Sequence, residues 1–172
     1  SNLLDLPLDR AKAAIREFRG TGRRFEVRGV VNGITVIDDY AHHPTEIRAT
    51  LAAGRSIYPK SRIWAVWQPH TFSRTRALMQ EFCRAFQDAD QIVVSDIYAA
   101  REQPPVDGFS ARLVADGIQI VRKDRPETVR FIPGINEIGD LLLSDLKPGD
   151  VVLVLSAGDA DQISNRLLQE LA

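Results

Sequence analysis

The feature that most constrains this chain is the regular alternation of short β-rich apolar runs with amphipathic helical stretches from Pro44 onward. Ile63 to Trp67, Gln91 to Ser95, Val129 to Ile132 and Val151 to Leu155 read as strands. Thr45 to Ile57, Arg74 to Phe86, Ser110 to Gly117, Ile135 to Leu143 and Ala160 to Leu171 read as helices. The run VVLVL (151–155) has no polar residue and therefore no face for water, which is the pattern of a strand covered on both sides. Upstream, Phe25 to Val31 and Ile34 to Asp38 flank Asn32-Gly33, a pair that accepts the positive φ of a tight hairpin turn. The expectation is an α/β fold: a mostly parallel sheet of about six strands, helices on both faces, and an N-terminal β-hairpin. Leu8 to Arg19, stopped by Gly20-Thr21-Gly22, reads as a helix ahead of the hairpin. The 172 residues fit one domain, 1–172.

Composition removes several function classes. Lys and Arg number 22 against 23 Asp and Glu, a net charge of -1, so no global attraction to nucleic acid or anionic membrane is expected. No apolar run approaches the roughly 20 residues of a membrane helix. The single cysteine, Cys83, cannot form an internal disulfide, and SNLLDL at the start has no signal-peptide architecture. Both observations point to a cytoplasmic protein.

In a parallel sheet, ligands bind beyond the carboxyl ends of the strands. Four loops should share that rim: Asp38 to Pro44, Gln68 to Arg74, Ser95 to Tyr98, and Ser156 to Asp159. All three histidines, His42, His43 and His70, fall in two of them. Asp38 or Asp39 can cap the following helix, or serve in metal ligation, acid–base chemistry or ligand contact. Three histidines can hold zinc, although their spacing matches no usual zinc pattern. Arg74 and Arg76 open a helix, where a cation opposes the dipole. That placement suits an anionic ligand held by a guanidinium fork, or, for Arg76, a solvated surface. Ser-Ala-Gly-Asp (156–159) can offer backbone N–H groups to an anion, or Asp159 can be a plain cap. Arg23 and Arg24 are phosphate contacts or the base of the hairpin. Neither GxxxxGK[ST] nor GxGxxG occurs, so a nucleotide would lack its usual phosphate cradle in this chain.

The segments GTGRRFE (20–26), DDYAHHPTE (38–46), QPHTFSRTR (68–76), SDIYAAREQP (95–104) and SAGD (156–159) together resemble the C-terminal domain of the Mur ligases. Among these they are most similar to members that join L-alanine to UDP-N-acetylmuramate. The resemblance runs over nearly the whole chain. It implies a Rossmann-like third domain, separate from a UDP-binding domain and a P-loop ATPase domain that this chain lacks. It implies a ligase of peptidoglycan precursor synthesis that uses ATP and magnesium to make an acyl phosphate of the muramyl carboxylate, which the amine of L-alanine then attacks. By motif match, Arg24 and Asp39 are ATP-binding, Tyr40, His42, His70 and Arg74 surround the amino acid, and His42 and His70 are the catalytic candidates, equally ranked. No metal ligand and no tightly bound cofactor is assigned to the domain. Thr71 stands where some members carry arginine, and Ser156 where glycine is common, which puts a second carboxylate clamp and the late loop's geometry in question. The other readings are a non-catalytic ligand-binding α/β module, the related murein peptide ligase, and a metal-dependent hydrolase.

Overall fold

The computed structural model describes residues 22–172; the helix expected over 8–19 lies outside them. The described chain runs β1 (Glu26–Val31), β2 (Ile34–Asp39), α1 (Pro44–Ile57), β3 (Ile63–Gln68), α2 (Phe72–Ala77), α3 (Met79–Cys83), β4 (Gln91–Val94), α4 (Ala111–Val121), a 3-10 turn (Pro126–Thr128), β5 (Val129–Phe131), α5 (Ile135–Asp145), β6 (Val151–Ser156) and α6 (Asp161–Glu170). The six strands form one sheet in the order β1-β2-β6-β3-β4-β5. The β1–β2 pair is antiparallel and every other pair is parallel. Asn32 at φ 48° and Gly33 at φ 76° make the hairpin turn that their sequence predicts.

The continuous apolar runs are buried on both faces, as expected. One layer packs α1, α3 and α4 against the sheet through Ile47, Leu51, Phe82, Val114 and Ile118 around Trp67. The other packs α5 and α6 through Ile138, Leu142, Ile163 and Leu167 against Val36, Val66, Val152 and Val154. The alternation of side chains along β6 feeds both layers: Leu153 and Leu155 face one, Val152 and Val154 the other.

This wiring sets up the rim. The chain leaves β2 and β3 toward one face, with α1 and α2, whereas it leaves the intervening β6 toward the other, with α6. Loops diverge there above the sheet, as they do at a switch point.

One expected element is different. The helix predicted over Arg74 to Phe86 is two short helices joined at Leu78, whose φ of -110° and ψ of 19° leave the helical region. No glycine or proline marks the break. Beyond α3 the bonds tighten, with Arg84 N–H donating to Glu81 O and Ala85 N–H to Phe82 O, and the chain turns. Phe82 and Phe86 still reach the core, with ring centroids 4.7 and 5.3 Å from that of Trp67.

Candidate functional site

The expected loops do meet along one edge. A line of side chains runs across it: Arg23 over the Tyr40 ring at 5.5 Å, Tyr40 to His42 at 5.3 Å, His42 to His70 at 6.3 Å, and His70 stacked on Tyr98 at 5.6 Å. Arg74 touches His70 from the first turn of α2. Asp39 lies at the end of β2, immediately before Tyr40. Residues from separate loops thus converge because β2, β6, β3 and β4 end on the same side of the sheet.

Beside this line is a cavity of about 350 Å³ between the base of the hairpin and α1. Arg24, Phe25, Asp39, Tyr40, His42 and Glu46 contribute to its wall. Asp39 is buried and accepts two backbone N–H bonds, from Phe25 at 2.8 Å on Oδ2 and from Ala41 at 2.8 Å on Oδ1. A carboxylate has about four acceptor positions, so one hydroxyl donor can still be received. Arg24 is exposed and has no hydrogen bond or ion pair to another described residue. The cavity therefore offers an acceptor and a cation without a partner among the described residues, a set that fits a ribose hydroxyl and an anionic group of a nucleotide. Among the described residues, no three His, Cys, Asp or Glu side chains gather to hold a metal ion. His42, His43 and His70 do not form a zinc site.

The two rim histidines differ in what they present. His42 Nδ1 lies 2.9 Å from the Tyr40 carbonyl oxygen, which only accepts, so Nδ1 carries the proton. When His42 is uncharged, its Nε2 is a free lone pair. His70 is the reverse: its Nδ1 receives Arg74 Nη1 at 3.2 Å, so a neutral His70 carries its proton on Nε2. Burial, the Arg74 guanidinium and His42 together hold the His70 pKa below its ordinary value, which favours the neutral form. Arg74 spends Nη1 on His70, including its carbonyl oxygen at 3.1 Å, and keeps Nη2 and Nε without partners among the described residues. A rim with one lone pair, one ring N–H and one free guanidinium edge can receive an ammonium and a carboxylate together.

Several sequence expectations receive a different answer. The cap of α1 is His43, not Asp38 or Asp39: its Nδ1 accepts from Thr45 N–H at 3.3 Å, and Glu46 accepts from the backbone N–H groups of both His42 and His43 at 3.0 Å. Burial pushes Glu46 up, but these two N–H bonds and the neighbouring histidines hold its carboxyl below the ordinary range overall. Asp38 points away from the rim. It is buried, paired with Arg28 at 2.5 Å and bonded to Ser164, and burial pushes its pKa up against those two partners. Arg76 is not a clamp for an external anion; it lies exposed on the surface, as the solvated reading had it. It makes a two-pronged pair with Asp107 at 2.6 and 2.7 Å and lies over Phe109.

The late loop is not an open anion nest and Asp159 is not a helix cap. Gln68 Oε1 accepts from Ser156 Oγ at 2.7 Å and from the N–H groups of Asp159 and Ala160 at 3.1 and 3.2 Å, while its Nε2 donates to Asp159 at 2.8 Å. Ser156 is an ordinary strand residue without positive φ, so glycine is not required there. Arg23 completes the lock through the carbonyl oxygens of Ser156 and Gly158 at 2.7 and 3.4 Å. It is thus a tether from the hairpin base, and Arg24 alone of that pair faces the cavity.

Three rim residues carried no role in the sequence reading: Gln68, Tyr98 and Glu102. Glu102 accepts from Ser73 N–H at 2.9 Å and from its hydroxyl, and so fills the start of α2 where an external anion was expected. Gln68 was detectable only through sheet register, which sets it opposite Ser156.

The family model for the Mur ligase glutamate ligase domain matches residues 23–158. The chain belongs to the Mur ligase family. This Mur ligase domain is 46% identical over 168 residues to a UDP-N-acetylmuramate–L-alanine ligase from Geobacter sulfurreducens, covering 98% of the chain and 36% of that protein. A protein of the same name from Caldanaerobacter subterraneus is 45% identical, with 98% and 35% covered. Among solved structures, UDP-N-acetylmuramate-alanine ligase MurC from Thermotoga maritima superposes with a TM-score of 0.73 at 28% identity, over 95% of this chain and 33% of that one. A murein peptide ligase from Psychrobacter arcticus gives 0.72 at 26% identity, over 94% and 32%. The chain thus spans about a third of the length of the relatives it matches.

Proposed function

We propose that this domain is the C-terminal part of an ATP-dependent ligase that joins L-alanine to UDP-N-acetylmuramate in peptidoglycan precursor synthesis, acting in the cytoplasm. The observation that carries the reading is the convergence of Tyr40, His42, His70 and Arg74 on one open rim, next to a cavity holding Arg24 and Asp39. The relatives at 45% identity and above favour L-alanine over a peptide as the incoming amine.

ATP, with magnesium, supplies the activation of the muramyl carboxylate, and Arg24 and Asp39 are the residues here that would hold part of the nucleotide. The remaining steps belong to the rim. The free edge of Arg74 receives the alanine carboxylate. His42 Nε2 takes a proton from the alanine ammonium, because only the free amine has a lone pair to attack with. His70 cannot take that proton while Arg74 occupies its Nδ1; its Nε2–H orients a neighbouring oxygen instead. On this reading His42, and not His70, is the base. The rim is open, so the chemistry needs a facing domain, and closure brings the amine to the activated carboxyl group.

The test is phosphate release by the full-length protein with ATP, UDP-N-acetylmuramate and L-alanine. Turnover is expected with all three and not from the 172-residue chain alone. A tripeptide that replaces L-alanine with equal or better efficiency would assign the protein to murein peptide ligation, and release by the isolated chain would overturn the need for a facing domain.

A further inference from the structure

His70 is held on three sides, and one of the holding groups has no part in the chemistry above. Arg74 lies against Nδ1 from α2, and the His42 ring approaches at a steep angle from the loop after β2. The third contact is Tyr98, from the loop after β4. Its ring is nearly parallel to the imidazole, with 12° between planes and centroids 5.6 Å apart. The two residues are also joined through backbone: Tyr98 N–H donates to Pro69 O at 2.8 Å, and His70 and Tyr98 form an isolated parallel bridge. The stack is thus seated on the sheet edge itself, with both partners anchored at the ends of adjacent strands β3 and β4.

Behind Tyr98 stands Gly158. A Cβ there would lie 2.6 Å from Tyr98 Cγ and 2.4 Å from Gln68 Oε1, closer than carbon atoms tolerate. Gly158 is itself fixed, its N–H donating to Ser156 Oγ at 2.9 Å and its carbonyl oxygen receiving Arg23. The late loop therefore acts as a backstop for the Tyr98 ring, and Tyr98 as a backstop for His70.

We infer that Tyr98, backed by Gly158, is a positioning residue that sets the plane of the His70 imidazole and shields one of its faces from water. This deepens the ligase reading, and depends on it only for the kinetic arm of the test below. The phenol hydroxyl plays no part; the ring face does, since an offset stack of two flat groups fixes orientation with little entropy cost. Charged and titratable groups near His70 are Arg74 on α2, His42 beyond β2 and Glu102 on the loop that carries Tyr98. Loss of the stack removes shielding without removing any of these charges.

The test is a proton NMR titration of the three histidines in this chain. Tyr98 is 37% exposed, so Tyr98→Ala leaves the core intact, which the amide spectrum checks. His70 should titrate below about 6.5 in the parent, move up in Tyr98→Ala, and return to the parent behaviour in Tyr98→Phe. Gly158→Ala, which displaces the ring without deleting it, should shift His70 in the same direction as Tyr98→Ala. His43, which faces α1, should not move in any of them. An unchanged His70 in Tyr98→Ala, or equal shifts in the Ala and Phe variants, would overturn the inference. In the full-length ligase, Tyr98→Ala should lower kcat/KM for alanine by roughly tenfold with Tyr98→Phe rescuing it. An NMR shift with unaltered kinetics would keep the positioning role and remove His70 from the alanine site, so the two readings fail separately.

Discussion

Arg74 and His70 are locked together across one turn at the head of α2: a single guanidinium nitrogen donates to both the ring Nδ1 and the main-chain carbonyl oxygen of His70. The contact fixes the histidine tautomer and leaves the opposite edge of the guanidinium for a carboxylate. Arg74→Ala in the full-length protein should raise the alanine KM by roughly 10- to 100-fold, the range expected for one charge-assisted hydrogen-bonding group. Arg74→Lys should recover only part, because an ammonium cannot serve His70 and a carboxylate in one plane. Steady-state kinetics with alanine varied check both. An unchanged alanine KM in Arg74→Ala would remove the carboxylate role.

The same contact has a consequence for pH. Burial, then Arg74, then His42 lower the folded-state pKa of His70 below its unfolded value. Between the two values the unfolded chain binds more protons, so stability falls as pH drops from about 6.5 toward the folded pKa, and no further below it. Urea unfolding of the chain at pH 7 and at pH 5 should show a loss that is smaller in His70→Asn. Arg74→Ala should also shrink it, since one of the depressing charges has gone. Equal losses in all three proteins would show that His70 titrates normally.

The chain's register of apolar runs made most of this architecture legible. Every expected strand from Phe25 onward appears, as do the hairpin turn and the shared rim, because a residue type with no polar atoms has one place to go. What sequence could not show was how polar groups divide. Asp38 and Asp39 are adjacent and alike, yet alternation along β2 sends one to Arg28 and Ser164 and the other to two N–H groups beside the cavity. Arg23 and Arg24 divide in the same way, one to the late loop and one to the cavity. The break at Leu78 was equally invisible, since Thr75, Phe82 and Phe86 would share one face of an unbroken helix.

Gln68 offers a test of the late loop. It is buried and satisfies three donors from the Ser156 to Ala160 segment at once. Gln68→Leu keeps the bulk and strands those donors, each costing about 1–3 kcal/mol if it finds no water. A net destabilisation of about 3 kcal/mol is expected by urea unfolding. A loss under about 1 kcal/mol would mean that the loop re-forms on other partners.

His43 should separate cleanly from His42. As the cap of α1, its replacement by alanine should cost about 0.5–2 kcal/mol of stability. Alanine KM and kcat should stay near the parent values in the full-length enzyme. His42→Ala should do the opposite: small change in unfolding, and a loss of kcat that grows less severe at high pH, where free alanine amine is available without a base. Equal kinetic damage from both variants would mean that capping geometry, and not the His42 lone pair, is what the reaction needs.

The exposed pair between Arg76 and Asp107 supplies a prediction free of the ligase chemistry. Arg76, helped by the Phe109 N–H, holds the Asp107 carboxyl down to about 2. Arg76→Ala should raise it toward about 3.9 while the Phe109 N–H still holds it somewhat below, a change visible in the side-chain carboxyl resonance of a labelled sample. The sign of the linkage follows: Asp107 favours the folded chain above its unfolded pKa, and that contribution fades as pH falls toward about 2. Because both groups are in water, salt should weaken the effect, and the Asp107 pKa should rise with ionic strength in the parent but barely in Arg76→Ala. Insensitivity to both salt and substitution would place the cause in the loop backbone around Phe109 instead.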